Sequence, residues 1–161
     1  MSTPQDETTI APFTAFAFAV EIDIRDVSQK ACSAAFSECD GLEMTMDVKT
    51  IREGGNNGRQ IRLTGPLGFG QLTLKRGMTA SFDLWDWFEA VQLRPRLRAN
   101  AEVVVFAPGP GQVERARFIL SRCLPVKLKA PALNAKDGAV AIEELQLAYE
   151  SLTRKRIPGG V

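Results

Sequence analysis

Leu74-Lys75-Arg76-Gly77-Met78-Thr79 leads within a few residues into Asp83-Leu84-Trp85-Asp86-Trp87-Phe88. The first segment closes a short alternating strand on a glycine. A polar turn then opens a helix that carries both tryptophans of the chain. At ~100° per residue, Leu84, Trp85, Trp87, Phe88 and Val91 fall within an arc of about 160°, with Asp86, Glu89 and Ala90 opposite. The spacing predicts a helix from about Ser81 to Gln92. Ser81 or Thr79 is placed to cap its first turn, Asp83 sits where the helix dipole favours a negative charge, and Pro95 stops it. The stripe needs an apolar surface to receive it, so Leu84, Trp85, Trp87, Phe88 and Val91 are the predicted helix-packing residues.

On both sides of this junction the apolar residues recur with period two. Phe16, Phe18, Val20 and Ile22 share one face against Ala15, Ala17, Ala19 and Glu21. Leu42, Met44, Met46 and Val48 alternate with Glu43, Thr45, Asp47 and Lys49, and the pattern returns at Ile61/Leu63, Leu72/Leu74 and Ala116/Phe118/Leu120. Turn signals separate the runs at Gly54-Gly55-Asn56-Asn57-Gly58, at Gly65-Pro66 through Gly70, and at Pro108-Gly109-Pro110-Gly111. Most connections are too short for a helical crossover, which predicts a mainly β, antiparallel chain with one packed α-helix. The last strand, Val140 to Tyr149, changes phase at Glu143-Glu144: Val140 and Ile142 lie on one parity, Leu145, Leu147 and Tyr149 on the other. A β-bulge would produce this, and so would a strand whose ends serve different neighbours, one in its own core and one across a subunit boundary.

The chain of 161 residues is expected to form one domain, 1–161, with a core over about 13–152 and flexible ends. Its 45% apolar content is ordinary for a globular protein. No apolar run approaches the ~20 residues of a membrane helix, so no membrane anchor is expected. The opening Met1-Ser2-Thr3-Pro4-Gln5-Asp6-Glu7 is polar and acidic, unlike a secretory signal, which predicts cytoplasmic synthesis. Cys32, Cys39 and Cys123 show no Cys-x-x-Cys spacing and read as reduced, buried thiols. Charge is uneven: residues 1–53 hold ten acids and four bases, residues 54–136 thirteen bases and five acids. Such asymmetry suits head-to-tail association, although charges that mix on a solvated surface would give the same count.

The chemistry of catalysis is largely missing. With no histidine, Ser-His-Asp, Cys-His and His-containing zinc sites are excluded, and no Ser-x-x-Lys appears. The Gly54–Gly58 segment lacks the Gly-Lys-Ser/Thr ending of a phosphate loop, and Gly68-Phe69-Gly70 lacks a third glycine and a following helix. Asp83/Asp86 are accounted for by a helix start and a polar face, and Glu143/Glu144 by an exposed strand segment. Arginines cluster at 94, 96 and 98 and again at 115, 117 and 122, but the aromatics lie mostly in apolar stripes that core packing explains and the net charge is only +1, so no dedicated nucleic-acid binding is expected. No catalytic, cofactor-binding or metal residues are predicted, and the chain is not expected to be an enzyme.

Several segments resemble one family, in its order. Phe18 to Asp23 resembles the opening strand, Phe36-Ser37-Glu38-Cys39-Asp40-Gly41-Leu42-Glu43 the second with its glycine turn, and Arg52-Glu53-Gly54-Gly55-Asn56-Asn57-Gly58 the family's loop. Leu74 to Phe88 resembles the strand–helix junction. Leu124-Pro125-Val126-Lys127, Leu133-Asn134-Ala135 and Ala141 to Glu150 resemble the closing strands. The family is the tail tube protein of contractile phage tails and extracellular contractile injection systems, related to the ring protein of type VI secretion.

The resemblance implies a small antiparallel β-sandwich or barrel with one helix, six copies closing into a hexameric ring with a continuous inner β-barrel. Rings would stack into a hollow tube that is driven through a target envelope and can carry cargo. Implied partners are further copies of the chain, a surrounding sheath protein, baseplate and cap proteins, and lumenal protein cargo. The particle would assemble in the cytoplasm and could be released. Arg52, Glu53, Gly54, Gly55, Asn56, Asn57 and Gly58 become the candidate subunit or ring interface. Two segments depart from the family's pattern: Gly65-Pro66-Leu67-Gly68-Phe69-Gly70 lacks a lysine-tyrosine pair, and Tyr149 stands where many members have histidine. Competing readings are a tube-initiating baseplate protein of the same particle and a monomeric β-sandwich binding module.

Overall fold

The alternating runs become strands and the apolar stripe becomes a helix in a computed structural model that describes residues 17–24, 30–55, 58–136 and 138–155, with backbone alone at 30–34. In chain order these are β1 (Phe18–Ile24), β2 (Lys30–Ala34), β3 (Glu38–Asp40), β4 (Met44–Arg52), β5 (Gln60–Phe69), β6 (Gln71–Gly77), α1 (Asp83–Leu93), β7 (Ala99–Phe106), β8 (Glu114–Lys129), β9 (Ile142–Ala148) and β10 (Ser151–Lys155). Every strand pairing is antiparallel, and the chain is mainly β with one helix among the described residues.

Two layers share one long strand. The first half of β8 lies between β7 and β10, extending the order β2-β1-β7-β8, while its second half pairs β9 and continues into β6 and β3. The crossing falls at Arg122, whose φ is +55°, and at the β9–β10 turn, where Arg122 Nε donates to Glu150 Oε2 at 2.7 Å. A strand that changes layers through such an irregularity is how a sandwich makes its corner.

The core takes one parity from each layer. Val20, Ile22, Ala101, Val103 and Leu120 come from the first, Leu72, Leu74, Leu145 and Leu147 from the second, and all are buried in one cluster. Leu84 and Trp87 of α1 join it, at 0% and 1% exposure. Each of the Val, Ile and Leu side chains contributes roughly 1.5–3 kcal/mol by leaving water. Phe18 packs on the margin of the cluster, while Phe16 lies outside the described residues.

Four local expectations are corrected. The helix begins at Asp83 with Phe82 as N-cap and no side-chain cap, so neither Ser81 nor Thr79 caps it; Asp83 Oδ1 instead accepts the Leu84 N–H at 2.9 Å. Gly65-Pro66-Leu67-Gly68 is not a turn but part of β5. Gly65 and Pro66 together oppose Asp47 across a register shift, and a Cβ on Gly65 would lie 2.5 Å from the Asp47 carbonyl oxygen. Proline is tolerated there because the strand is an edge at a bulge.

The third correction concerns β9. It carries no bulge against β6: the register runs unbroken from Gln71↔Ala148 to Gly77↔Ile142. Glu143 occupies the inward parity of Leu145 and Leu147, and Val140 and Ile142 face outward at 78% and 48% exposure. The fourth follows from it: Glu143 is no exposed residue but 2% accessible, because Arg76 stands directly opposite and neutralises it.

Candidate assembly surface

β3 and β6 begin a ribbon that β4 and β5 extend beyond the body of the protein. Among the described residues β4 and β5 pair only with each other, in a two-stranded sheet. Every residue of β4 is exposed, with Met44 at 57%, Met46 at 52% and Val48 at 56%. Ile51, Leu63 and Leu67 are nearly as open. An isolated hairpin is marginal in water, and these apolar side chains gain nothing from the chain's own core.

The register separates two kinds of surface, because directly opposed residues share a face. Met44/Phe69 and Met46/Leu67 make one face apolar near the body, continuing to Val48/Thr64 and then to the polar pairs Thr50/Arg62 and Arg52/Gln60. The other face starts polar with Thr45/Gly68 and ends with Lys49/Leu63 and Ile51/Ile61.

Where the ribbon leaves the body, its neck is fastened by Tyr149. The hydroxyl accepts the Glu43 N–H at 3.1 Å, and the Gly41 and Glu43 carbonyl oxygens stand at 2.8 and 3.1 Å as its own acceptors. The Phe69 ring lies 5.8 Å from the Tyr149 ring, centroid to centroid. Gly41 has φ +101°, and a Cβ there would sit 2.0 Å from the Gln71 carbonyl oxygen, so this position takes only glycine. Sequence reasoning placed Tyr149 on the parity of Leu145 and Leu147 and marked it as a departure from the family's pattern. Its hydrogen-bond partners lie more than one hundred residues away, and no local periodicity points to them.

At the far end stands the sequence-predicted interface loop. Arg52, Glu53, Gly54, Gly55 and Gly58 are all exposed, and Asn56 and Asn57 lie outside the described residues. Of the predicted helix-packing residues, Leu84 and Trp87 are buried, while Trp85, Phe88 and Val91 are half-buried, Val91 against the core.

Charge is fixed at two further places. Arg76, 3% exposed, donates from Nε to Glu143 and through its terminal nitrogens to Asp83 at 2.5 and 3.3 Å, with its guanidinium 5.8 Å from the Phe36 ring centroid. On the first layer Arg117 holds Glu114 through two bonds of 2.7 and 2.8 Å and also donates to Glu102. These bonds raise the Arg117 pKa, Glu114 contributing first, and the hydrogen bond from Arg117 lowers that of Glu114.

Burial pushes the Cys39 thiol up to about 11, with the Asp40 charge adding to it, and the Cys123 thiol up to about 12 against an opposing hydrogen bond with the Ala101 backbone. Both are free cysteines, held in the unreactive thiol form. Among the described residues no group of three or more His, Cys, Asp or Glu could hold a metal ion. The arrangement offers buried, ion-paired charge and open apolar strand surface, the chemistry of association.

The family comparison fits this geometry. A family model described as T4-like virus tail tube protein gp19 matches residues 14–153. The chain belongs to this family of tail tube proteins. Its role is that of a structural tube subunit. No curated protein sequence matches it significantly.

Among solved structures, a chain of the anti-feeding prophage (AFP) baseplate, 6-fold symmetrised, is 26% identical, with a TM-score of 0.79 over 91% of the tail tube chain and 97% of its own. A chain of the PVC extracellular contractile injection system, from its sheath-tube complex in the extended state, is 18% identical with a TM-score of 0.76, covering 98% and 100%. An Hcp protein shares the fold more distantly, at 9% identity and a TM-score of 0.56 over 86% and 91%.

Proposed function

We propose that this tail tube protein forms one domain that closes into six-membered rings with a continuous inner β-barrel, and that the rings stack into the hollow tube of a contractile injection particle. In that particle the tube runs inside a sheath, between baseplate and cap proteins, with its lumen open to protein cargo. The chain acts by assembling rather than by catalysing. It is made and assembled in the cytoplasm as a component of a phage tail-like particle. Among the described residues no helix is long and apolar enough to cross a membrane, in keeping with a particle component.

The observation that carries this reading is the β4–β5 hairpin, which exposes Met44, Met46, Val48, Ile51, Leu63 and Leu67 on a two-stranded sheet with no core of its own. Burying such strands between copies removes both the apolar exposure and the open edges, and a heterologous contact that closes gives a ring. Arg52, Glu53, Gly54, Gly55 and Gly58, exposed at its tip, would meet a neighbouring subunit or ring. The test is Met44→Glu with Met46→Glu, read by light scattering and negative-stain electron microscopy. The substituted chain should stay folded and leave the rings unformed; rings at the unsubstituted yield would overturn the reading.

A further inference from the structure

The outward face of the second layer carries its charges in register. Glu38, Lys75, Glu144 and Lys129 stand in one row across β3, β6, β9 and the second half of β8, and Asp40, Thr73, Gln146 and Lys127 stand in the next. Part of this ladder is paired within the chain: Lys75 Nζ lies 3.1 Å from both Glu38 carboxylate oxygens, and Lys127 Nζ lies 3.9 Å from Glu144 Oε1. The two margins differ in sign. The β3 margin presents Glu38 and Asp40 and the β8 margin Lys127 and Lys129, all four exposed and all on the same face. Both margins are open edges among the described residues: β3 ends the strand order, and residues 124–129 of β8 pair with β9 alone. Such edges hold unpaired backbone N–H and C=O groups that template the pairing of another strand.

We propose that the β3 edge of one copy pairs with the second half of β8 in the next copy, joining the second layers into the inner barrel. The inference rests on the ring reading above and names the strands and residues that meet. Two strands separate β3 from this half of β8 and every pairing along the way is antiparallel, so the new pair is antiparallel as well. Continuing the rows sets Lys129 opposite Glu38 of the neighbouring copy and Lys127 opposite its Asp40, opposite charges at both positions. A contact between two different edges of the same molecule is heterologous, the kind that closes into a ring. The edge strands of the first layer, β2 with Lys30 and β10 with Arg154 and Lys155, carry only basic charge and offer no such complement. The first layer and α1 lie on the core side of the second, so they take the wider circumference of the ring, and Thr73, Lys75, Glu144 and Gln146 line the lumen.

The experiment is Lys127→Glu in the full chain, with assembly followed by light scattering across protein concentration. Two acids then oppose each other at every junction, so the concentration needed for rings should rise at least tenfold while thermal unfolding stays nearly unchanged. Asp40→Lys should do the same, and the two substitutions together should restore assembly. As a direct readout, Lys127→Cys with Asp40→Cys places two Cα atoms about 5 Å apart across the junction, within disulfide range. That chain should give disulfide-linked ladders only under assembling conditions, and neither single cysteine should give them. Unimpaired rings from Lys127→Glu, no recovery in the charge-swapped chain, or assembled rings of the double-cysteine chain that do not cross-link would each overturn the edge pairing and leave the ring reading standing. An unsubstituted chain that never forms rings overturns the ring reading itself, and the edge pairing with it.

Discussion

Arg76 on β6 and Glu143 on β9 stand directly opposite in the sheet and form an ion pair that is almost sealed from water, at 3% and 2% exposure. Asp83, the first residue of α1, closes on the same guanidinium, so one side chain ties two strands to the helix. Two carboxylates around one arginine leave the cluster anionic by formal count, and the partial exposure of Asp83, 24% for its side chain, keeps that charge in contact with solvent.

Removing Arg76 strands the Glu143 carboxylate in the core, whereas removing Glu143 leaves Arg76 paired with Asp83. Arg76→Met should therefore cost about 3–5 kcal/mol, read as a lower urea midpoint, and adding Glu143→Leu should restore most of it. A single substitution costing less than ~1 kcal/mol would show that the pair is open to water.

The hairpin neck gives a local prediction. Tyr149→Phe keeps the ring against Phe69 and loses the hydroxyl that joins Glu43 and Gly41. Stability should fall by about 1–2 kcal/mol. Amide exchange in β4 and β5 should quicken while β7 and β8 are unchanged; uniform quickening would place the effect in the core instead.

At the tip of the hairpin, Arg52→Ala with Glu53→Ala should leave the monomer folded, since both side chains are exposed, and should shorten or abolish stacked tubes. Tubes of normal length from that chain, counted by electron microscopy, would remove the loop from the stacking contact.

The two thiols set an alkaline limit. Cys123 and Cys39 keep their protons in the folded chain to about 12 and about 11, against 9.0 when unburied. Below pH 9 both states hold the proton and the thiols add no pH dependence. Above it the unfolded chain ionises first, so stability should fall from pH 9 towards 12. Cys123→Ala should flatten that fall. At pH 8 a thiol reagent should leave Cys123 unmodified until denaturant is added; prompt modification would contradict its burial.

Much of the fold was legible because period two and period 3.6 are visible in single runs. Phe18 to Ile22, Leu72/Leu74 and the Leu84–Val91 stripe each declare their buried parity locally. What escaped was settled by residues far apart in the chain. Glu143 reads as exposed unless Arg76 is known to stand across from it, and the Gly65-Pro66 bulge reads as a turn unless Asp47 is opposite. For the assembly surface, the Met44/Met46 strand beside its polar loop reads from sequence as one whose apolar residues a monomer would leave exposed, and the structure leaves them so. Its full exposure is a fact of tertiary placement, set at the neck by Gly41 and Tyr149.

The measurement that bears most directly on the central claim is negative-stain electron microscopy of the purified protein, with its mass in solution from light scattering. Six-fold rings, or hollow tubes built from them, are the predicted result. A monodisperse monomer at high concentration would contradict it.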